Sequence, residues 1–126
     1  ALSLGCQDIC ILGCFGTRID HVLANVRVMR MALEKKASCM LYDSRNRIRL
    51  ADGPLVLKKR EQYGKYVSLF ALTGEVRGLT LKGFYYPLTD YNMASEESIG
   101  VSNEIKDEEA VITFTSGKLL VVESRD

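Results

Sequence analysis

The stretch Ile9-Cys10-Ile11-Leu12-Gly13-Cys14-Phe15-Gly16-Thr17-Arg18-Ile19-Asp20-His21 decides the fold. A short apolar run enters a turn with two glycines, and a long periodic segment, Val22 to Lys36, leaves it. That order predicts a strand over 8–13, a glycine turn and a helix over 18–36. Ile19, Val22, Leu23, Val26, Met29 and Leu33 fall close to the spacing of one apolar helix face. Arg30 and Glu34 sit four apart on the opposite face, and Lys35-Lys36 suits the negative end of the helix dipole. Ser38-Cys39-Met40-Leu41-Tyr42 reads as a second strand, so the whole is a βαβ unit, normally right-handed. The unalternated apolar character of residues 8–13 suits a parallel strand covered on both faces. Open α/β sheets bind ligands outside the carboxyl ends of their strands, and a helix N-terminus offers free N–H groups to anions. The turn with Arg18 and Asp20 is therefore a candidate phosphate site.

Working outward, residues 1–5 read as a helix tail with Gly5 as its left-handed cap. Beyond Asp43 the helical period disappears. Ile48-Arg49-Leu50, Leu55-Val56-Leu57, residues 66–71, 76–82, 111–115 and 119–122 read as short strands separated by turn residues, which points to a β-sandwich or barrel. Asp52-Gly53 is a hairpin signal. Residues 90–109 are the least regular segment, polar at first and acidic from Glu104 to Glu109. The expected architecture is an α/β remnant (strand-helix-strand) followed by an all-β sandwich, divided at 44/45. Residues 1–44, too short to bury a core alone, read as the C-terminal portion of an α/β domain, and 45–126 as the sandwich. The chain opens at Ala1 inside what reads as a helix end, so it is expected to be part of a longer protein.

The 126 residues are 47% hydrophobic and 26% charged, with net charge +1, the composition of a soluble globular protein. Near-neutral charge, without alternating aromatic and basic residues on one strand, disfavours nucleic acid as a partner. No apolar run is long enough to cross a membrane and no signal peptide is visible, so a cytoplasmic location is expected. Cys6, Cys10, Cys14 and Cys39 form no Cys-x-x-Cys pair and His21 is the one histidine, which argues against a zinc site. Buried reduced thiols are the expectation. Gly117-Lys118 lacks the upstream glycine and following Ser/Thr of a phosphate-binding loop.

Gly13–Asn25, GCFGTRIDHVLAN, resembles the glycine-rich turn "G-x-x-G-G-R-x-D-H/Q" of the thiamine diphosphokinases. Further segments are similar in order: Val67-Ser68-Leu69-Phe70, Gly78 to Leu88, the Gly100-Val101-Ser102-Asn103-Glu104 loop and the Gly117-Lys118-Leu119-Leu120 strand pair. The resemblance spans nearly the whole chain. It implies an N-terminal α/β domain followed by a β-sandwich, and a homodimer that binds thiamine in clefts between subunits. It also implies transfer of a diphosphoryl group from ATP to the thiamine hydroxyl with magnesium. Two residues depart from the pattern: Thr17 stands for the turn's second glycine, and Gly100 for the loop's first serine. The family's Asp-rich metal motifs precede the part that begins at Ala1, so most of the magnesium and ATP site is expected outside this chain, which by itself should show little turnover.

Each candidate residue has a plainer role beside the one the resemblance implies. Arg18 would hold ATP phosphates, a planar guanidinium matching phosphate oxygens; otherwise it is a surface arginine at a helix start. Asp20 would be the catalytic carboxylate that orients the thiamine hydroxyl or helps hold the metal, in a reaction that depends mainly on positioning and charge neutralisation. Thr17-x-x-Asp20 also fits a capping box, and the two roles are compatible. Ser102 and Asn103 would hold the aminopyrimidine, since an Asn carboxamide offers both donor and acceptor; otherwise they form a turn between strands. Tyr85-Tyr86 would pack near the ligand or in the sandwich core. A lone histidine, His21, is more simply structural. A non-catalytic β-sandwich module for ligand binding or dimerisation is the competing function.

Overall fold

The computed structural model describes residues 1–13, 16 and 18–126. Residues Leu2–Leu4 form a 3-10 turn closed by Gly5 in the left-handed region (φ 78°), whose N–H returns to the Leu2 carbonyl. Strand β1 (Asp8–Leu12) is followed by helix α1 (Ile19–Glu34), and the chain returns as β2 (Ser38–Tyr42), parallel to β1. The βαβ unit is present as expected. Then follow β3 (Asn46–Ala51), β4 (Leu55–Lys58), β5 (Tyr66–Ala71), β6 (Glu75–Lys82), β7 (Leu88–Ala94), the two-residue β8 (Asn103–Glu104), β9 (Glu109–Thr113) and β10 (Leu119–Ser124). They form two sheets, a six-stranded one in the order β1-β2-β3-β10-β5-β8 and a four-stranded one in the order β4-β9-β6-β7.

Period two in β10 explains how the layers stack. Leu119 and Val121 point into the sandwich core with Leu69, Leu79, Leu81, Ile112 and Met93, while Leu120 and Val122 pack with the second core under α1, built on Met29, Ala32, Cys39, Leu41 and Ile48. Helix α1 lies against β2 and β3. One sheet thus carries a helix on one face and a second sheet on the other.

Five expectations need correction. Asp52-Gly53 does not close a hairpin: both edges of β3 are taken by β2 and β10, so the turn carries the chain into the other sheet. Segment 90–109 is not wholly irregular, since β7 runs to Ala94 at the edge of the four-stranded sheet, with register shifts against β6 and one buried residue, Met93. Strand β1 is covered on one face only: Asp8, Cys10 and Leu12 are exposed. Cys6 and Cys10 are therefore free and exposed and Cys39 alone matches a buried thiol, Cys14 lying outside the described residues. On α1 the buried stripe runs through Met29 and Ala32, and Ile19 and Leu23 on its flank are exposed. The Arg30–Glu34 pair forms at 3.3 Å.

The turn at the expected 44/45 division is pinned from several sides. The Asp43 carboxylate accepts the N–H groups of Arg45 (2.7 Å) and Asn46 (2.6 Å). Tyr63 donates its hydroxyl to the Asp43 carbonyl, and Arg125 donates to the Ser44 carbonyl at 2.8 Å. Beside it Glu123, 1% exposed, receives both nitrogens of the Arg47 fork at 2.6 and 2.8 Å and Arg49 at 3.2 Å. Hydrogen bonding to Glu123 raises the Arg47 pKa against the opposing effect of burial. A buried carboxylate survives in a strand only when paired this fully.

Candidate functional site

The candidate residues occupy the two ends of one row across the six-stranded sheet. Leu12 pairs with Tyr42, Tyr42 with Arg47, Arg47 with Glu123, Glu123 with Val67 and Val67 with Asn103. The glycine turn leaves from one end of this row and Asn103 is the other end. Five inter-strand steps of about 4.8 Å separate the ends by roughly 24 Å. Arg18 and Asp20 therefore do not meet Ser102 and Asn103 of the same chain on one small ligand.

At the first end, Arg18 is the N-cap of α1, in extended conformation (φ −97°, ψ 116°), and Asp20 lies in the first turn. Their side chains form an ion pair with each other, Nη2 to Oδ2 at 2.5 Å and Nε to Oδ1 at 3.2 Å. Both are largely in water, 71% and 59% exposed. An exposed pair of this kind contributes about 0–1 kcal/mol, so an anion that offers Arg18 paired oxygens at a helix N-terminus can displace it. The capping box rests on Thr17, which lies outside the described residues. His21 is exposed. Among the described residues no three His, Cys, Asp or Glu side chains come together as a metal set.

The second end is built differently. Asn103 is 4% exposed. Its Oδ1 accepts the N–H groups of Tyr86 (3.0 Å) and Glu104 (2.9 Å), and its Nδ2 donates to the Tyr86 carbonyl (2.8 Å). Ser102 adopts the left-handed region at φ 59°, its N–H donated to the buried Ser68 Oγ at 3.0 Å, and is itself exposed. Gly100, the departure from the family's serine, is buried: a Cβ there would stand 2.8 Å from the Leu69 carbonyl oxygen. Leu69 in turn donates its N–H to the Gly100 carbonyl at 2.9 Å, so the loop docks edgewise on β5. Around it Phe70, Tyr85, Tyr86, Ile99 and Val101 are exposed. Tyr85 and Tyr86 are thus surface residues, not sandwich core.

Sequence reading missed Ser68 and the Tyr86 backbone as parts of this end. A serine inside the apolar strand Tyr66–Ala71 was the available signal for the first. The second had none, because Asn103 reaches a partner 17 positions away.

Comparison with known proteins covers the same ground. Residues 55–119 match the family described as thiamin pyrophosphokinase, vitamin B1 binding domain. The chain is 26% identical over 116 residues to the thiamine pyrophosphokinase of Bacillus subtilis (strain 168), covering 92% of this chain and 54% of that protein. It superposes on the crystal structure of the Bacillus subtilis thiamine pyrophosphokinase with a TM-score of 0.93 and 27% identity, over 99% of this chain and 58% of that one. The enzyme from Geobacillus thermodenitrificans gives 0.87 and 25%, over 99% and 57%. The chain thus spans little more than half the length of these relatives. The matched residues run from β4 to the first residue of β10, most of the sandwich with the Asn103 loop inside it, and on this ground the chain belongs to the thiamin pyrophosphokinase vitamin B1 binding domain family.

Proposed function

We propose that this chain is the thiamine-binding portion, with part of the phosphate site, of a thiamine diphosphokinase that transfers a diphosphoryl group from ATP to the thiamine hydroxyl. The observation that carries the reading is the family match over 55–119 together with the likeness in fold over nearly the whole chain to an enzyme of that name. The division at 44/45 is then one of function within a continuous sheet: residues 1–44 bring the phosphate end and 45–126 the thiamine end.

Arg18 would take phosphate oxygens as its bond to Asp20 opens. Asp20, so released, would orient the thiamine hydroxyl for attack. A carboxylate in that place need not be a strong base, because phosphoryl-type transfer depends on alignment and charge neutralisation. Ser102, exposed at the rim, would face the pyrimidine beside the Asn103 loop. Because one chain holds these halves at opposite sheet edges, a complete site requires two copies, each supplying one half. Phe70, Ile99 and Val101, each exposed on β5 or on the loop docked against it, suit contact with a second copy better than open water. Magnesium accompanies ATP in the family as the resemblance implies. Among the described residues no three His, Cys, Asp or Glu side chains gather into a site for it, and Asp20 is bound to Arg18 until an anion displaces it. Among the described residues no helix is long and apolar enough to cross a membrane, and a cytoplasmic location fits the exposed free thiols Cys6 and Cys10.

The test is formation of thiamine diphosphate from thiamine, ATP and magnesium by the protein that contains this chain. Turnover is expected, with Asp20→Asn lowering kcat on the order of a hundredfold or more. Absence of turnover in the unmutated protein with any nucleotide would sink the function, and unchanged turnover in Asp20→Asn would sink its assigned role.

A further inference from the structure

We propose that Asn103 is a positioning residue: it acts on thiamine through Tyr86, whose backbone it fastens, and does not itself hold the pyrimidine. This rests on the thiamine reading above. It departs from the role that the resemblance implies for this asparagine.

The stretch Phe84–Tyr86 lies antiparallel along Asn103–Ile105. Phe84 bridges Ile105, and the Tyr85 N–H goes to the Glu104 carbonyl at 3.0 Å. The next rung should come from the backbone of residue 103, and instead its side chain supplies it. The carboxamide offers an acceptor to the Tyr86 N–H and a donor to the Tyr86 carbonyl, the pattern a facing peptide group presents. Oδ1 also takes the Glu104 N–H. An asparagine side chain has two acceptor sites and two donor hydrogens. Three of the four are committed here, at a site 4% exposed. A ligand could use the carboxamide oxygen only by undoing buried bonds, and one Nδ2 hydrogen is all that the group has left to offer.

What the rung presents is different in kind. Tyr86 is 69% exposed although its backbone is held at both polar groups. Pro87 follows, which restricts Tyr86 to extended conformations. A ring on a fastened backbone loses little entropy when it meets a ligand. Removing the rung therefore frees the backbone that aims the ring while leaving the ring's chemistry intact.

The experiment is a double-mutant cycle on thiamine kinetics in the protein that contains this chain, with hydrogen exchange of segment 84–87 followed in parallel. Loss of the rung in Asn103→Ala should raise the thiamine KM on the order of tenfold, with kcat at saturation within about twofold. Exchange across 84–87 should accelerate in the same variant. In a Tyr86→Ala background, Asn103→Ala should raise KM no more than about twofold further, the coupling expected of residues that act as one unit. Asn103→Asp keeps the size but replaces the donor to the Tyr86 carbonyl with a carboxylate oxygen that repels it, so it should shift KM and exchange in the same direction even if the alanine variant fails to fold. A full tenfold effect of Asn103→Ala without Tyr86, or unchanged exchange at 84–87 in both Asn103 variants, would overturn the proposal. No thiamine-dependent turnover in the unmutated protein would overturn the thiamine reading instead, and the exchange experiment would still decide whether Asn103 fastens Tyr86.

Discussion

The two edges of the six-stranded sheet carry candidate residues in opposite conditions. At the β1 edge Arg18 and Asp20 are exposed and bonded only to each other as far as the described residues show. At the β8 edge Asn103 is buried with three of its four carboxamide positions engaged, and Gly100 and Ser68 lock its loop to β5. The first edge can trade its internal bond for a ligand at little cost. The second cannot, and it offers surfaces it has fixed in place. On the proposed function, chemistry that must respond to a phosphate falls to the first, and recognition of a rigid ring to the second.

Glu123 stands between the edges, and its loss tests the frame common to both. Glu123→Ala strips Arg47 and Arg49 of their buried partner and should cost about 3–5 kcal/mol in denaturant unfolding. A loss below about 1 kcal/mol, the worth of an exposed pair, would show that the row is not held from its centre. Next in size is a contrast between two glycines. Gly100→Ser, which restores the family's residue, drives a Cβ toward the Leu69 carbonyl and should destabilise by about 1–3 kcal/mol. Gly16→Ala, at the other edge, meets nothing within 4 Å and should stay within about 0.5 kcal/mol. Equal effects would erase the distinction between a packed and an open edge. Arg18→Ala should change stability by no more than about 1 kcal/mol while weakening ATP use, which separates function from folding at that edge.

The smallest effect concerns the pinned turn at Asp43. Burial pushes this carboxyl's pKa up, but N–H groups of Arg45 and Asn46, the Asn46 side chain and the Arg45 charge together hold it below the usual range. A folded-state pKa below the unfolded one contributes stability at higher pH that fades as pH falls through the folded value. Asp43→Asn should therefore melt lower than the unmutated chain at pH 7, with the gap closing below about pH 4. A gap that is the same at pH 7 and pH 3 would contradict this.

Much of the fold was legible because its signals are local. The apolar run 9–12, the glycine turn and the periodic helix each announce themselves within a few residues, and the βαβ unit follows. Residues whose place depends on distant partners were not legible. Asp52-Gly53 looks like any hairpin turn until both edges of β3 are known to be occupied. Strand β7 buries little besides Met93, so it leaves no alternating pattern. At the candidate site, Arg18 and Asp20 stood out in the sequence, but their bond to each other did not. Asn103 was readable as important, but the direction of its carboxamide was not, since its partner lies on a separate loop.

The central claim is that one site is completed by opposite edges of two copies, and subunit complementation tests it most directly. Asp20→Asn and Asn103→Ala variants of the protein that contains this chain, each deficient alone at thiamine below KM, are mixed and allowed to exchange subunits. If each site takes one edge from each copy, random mixing restores one unmutated site in every mixed dimer, and activity should recover to about one quarter of the unmutated level. Activity that never exceeds the average of the two separate variants would contradict the account.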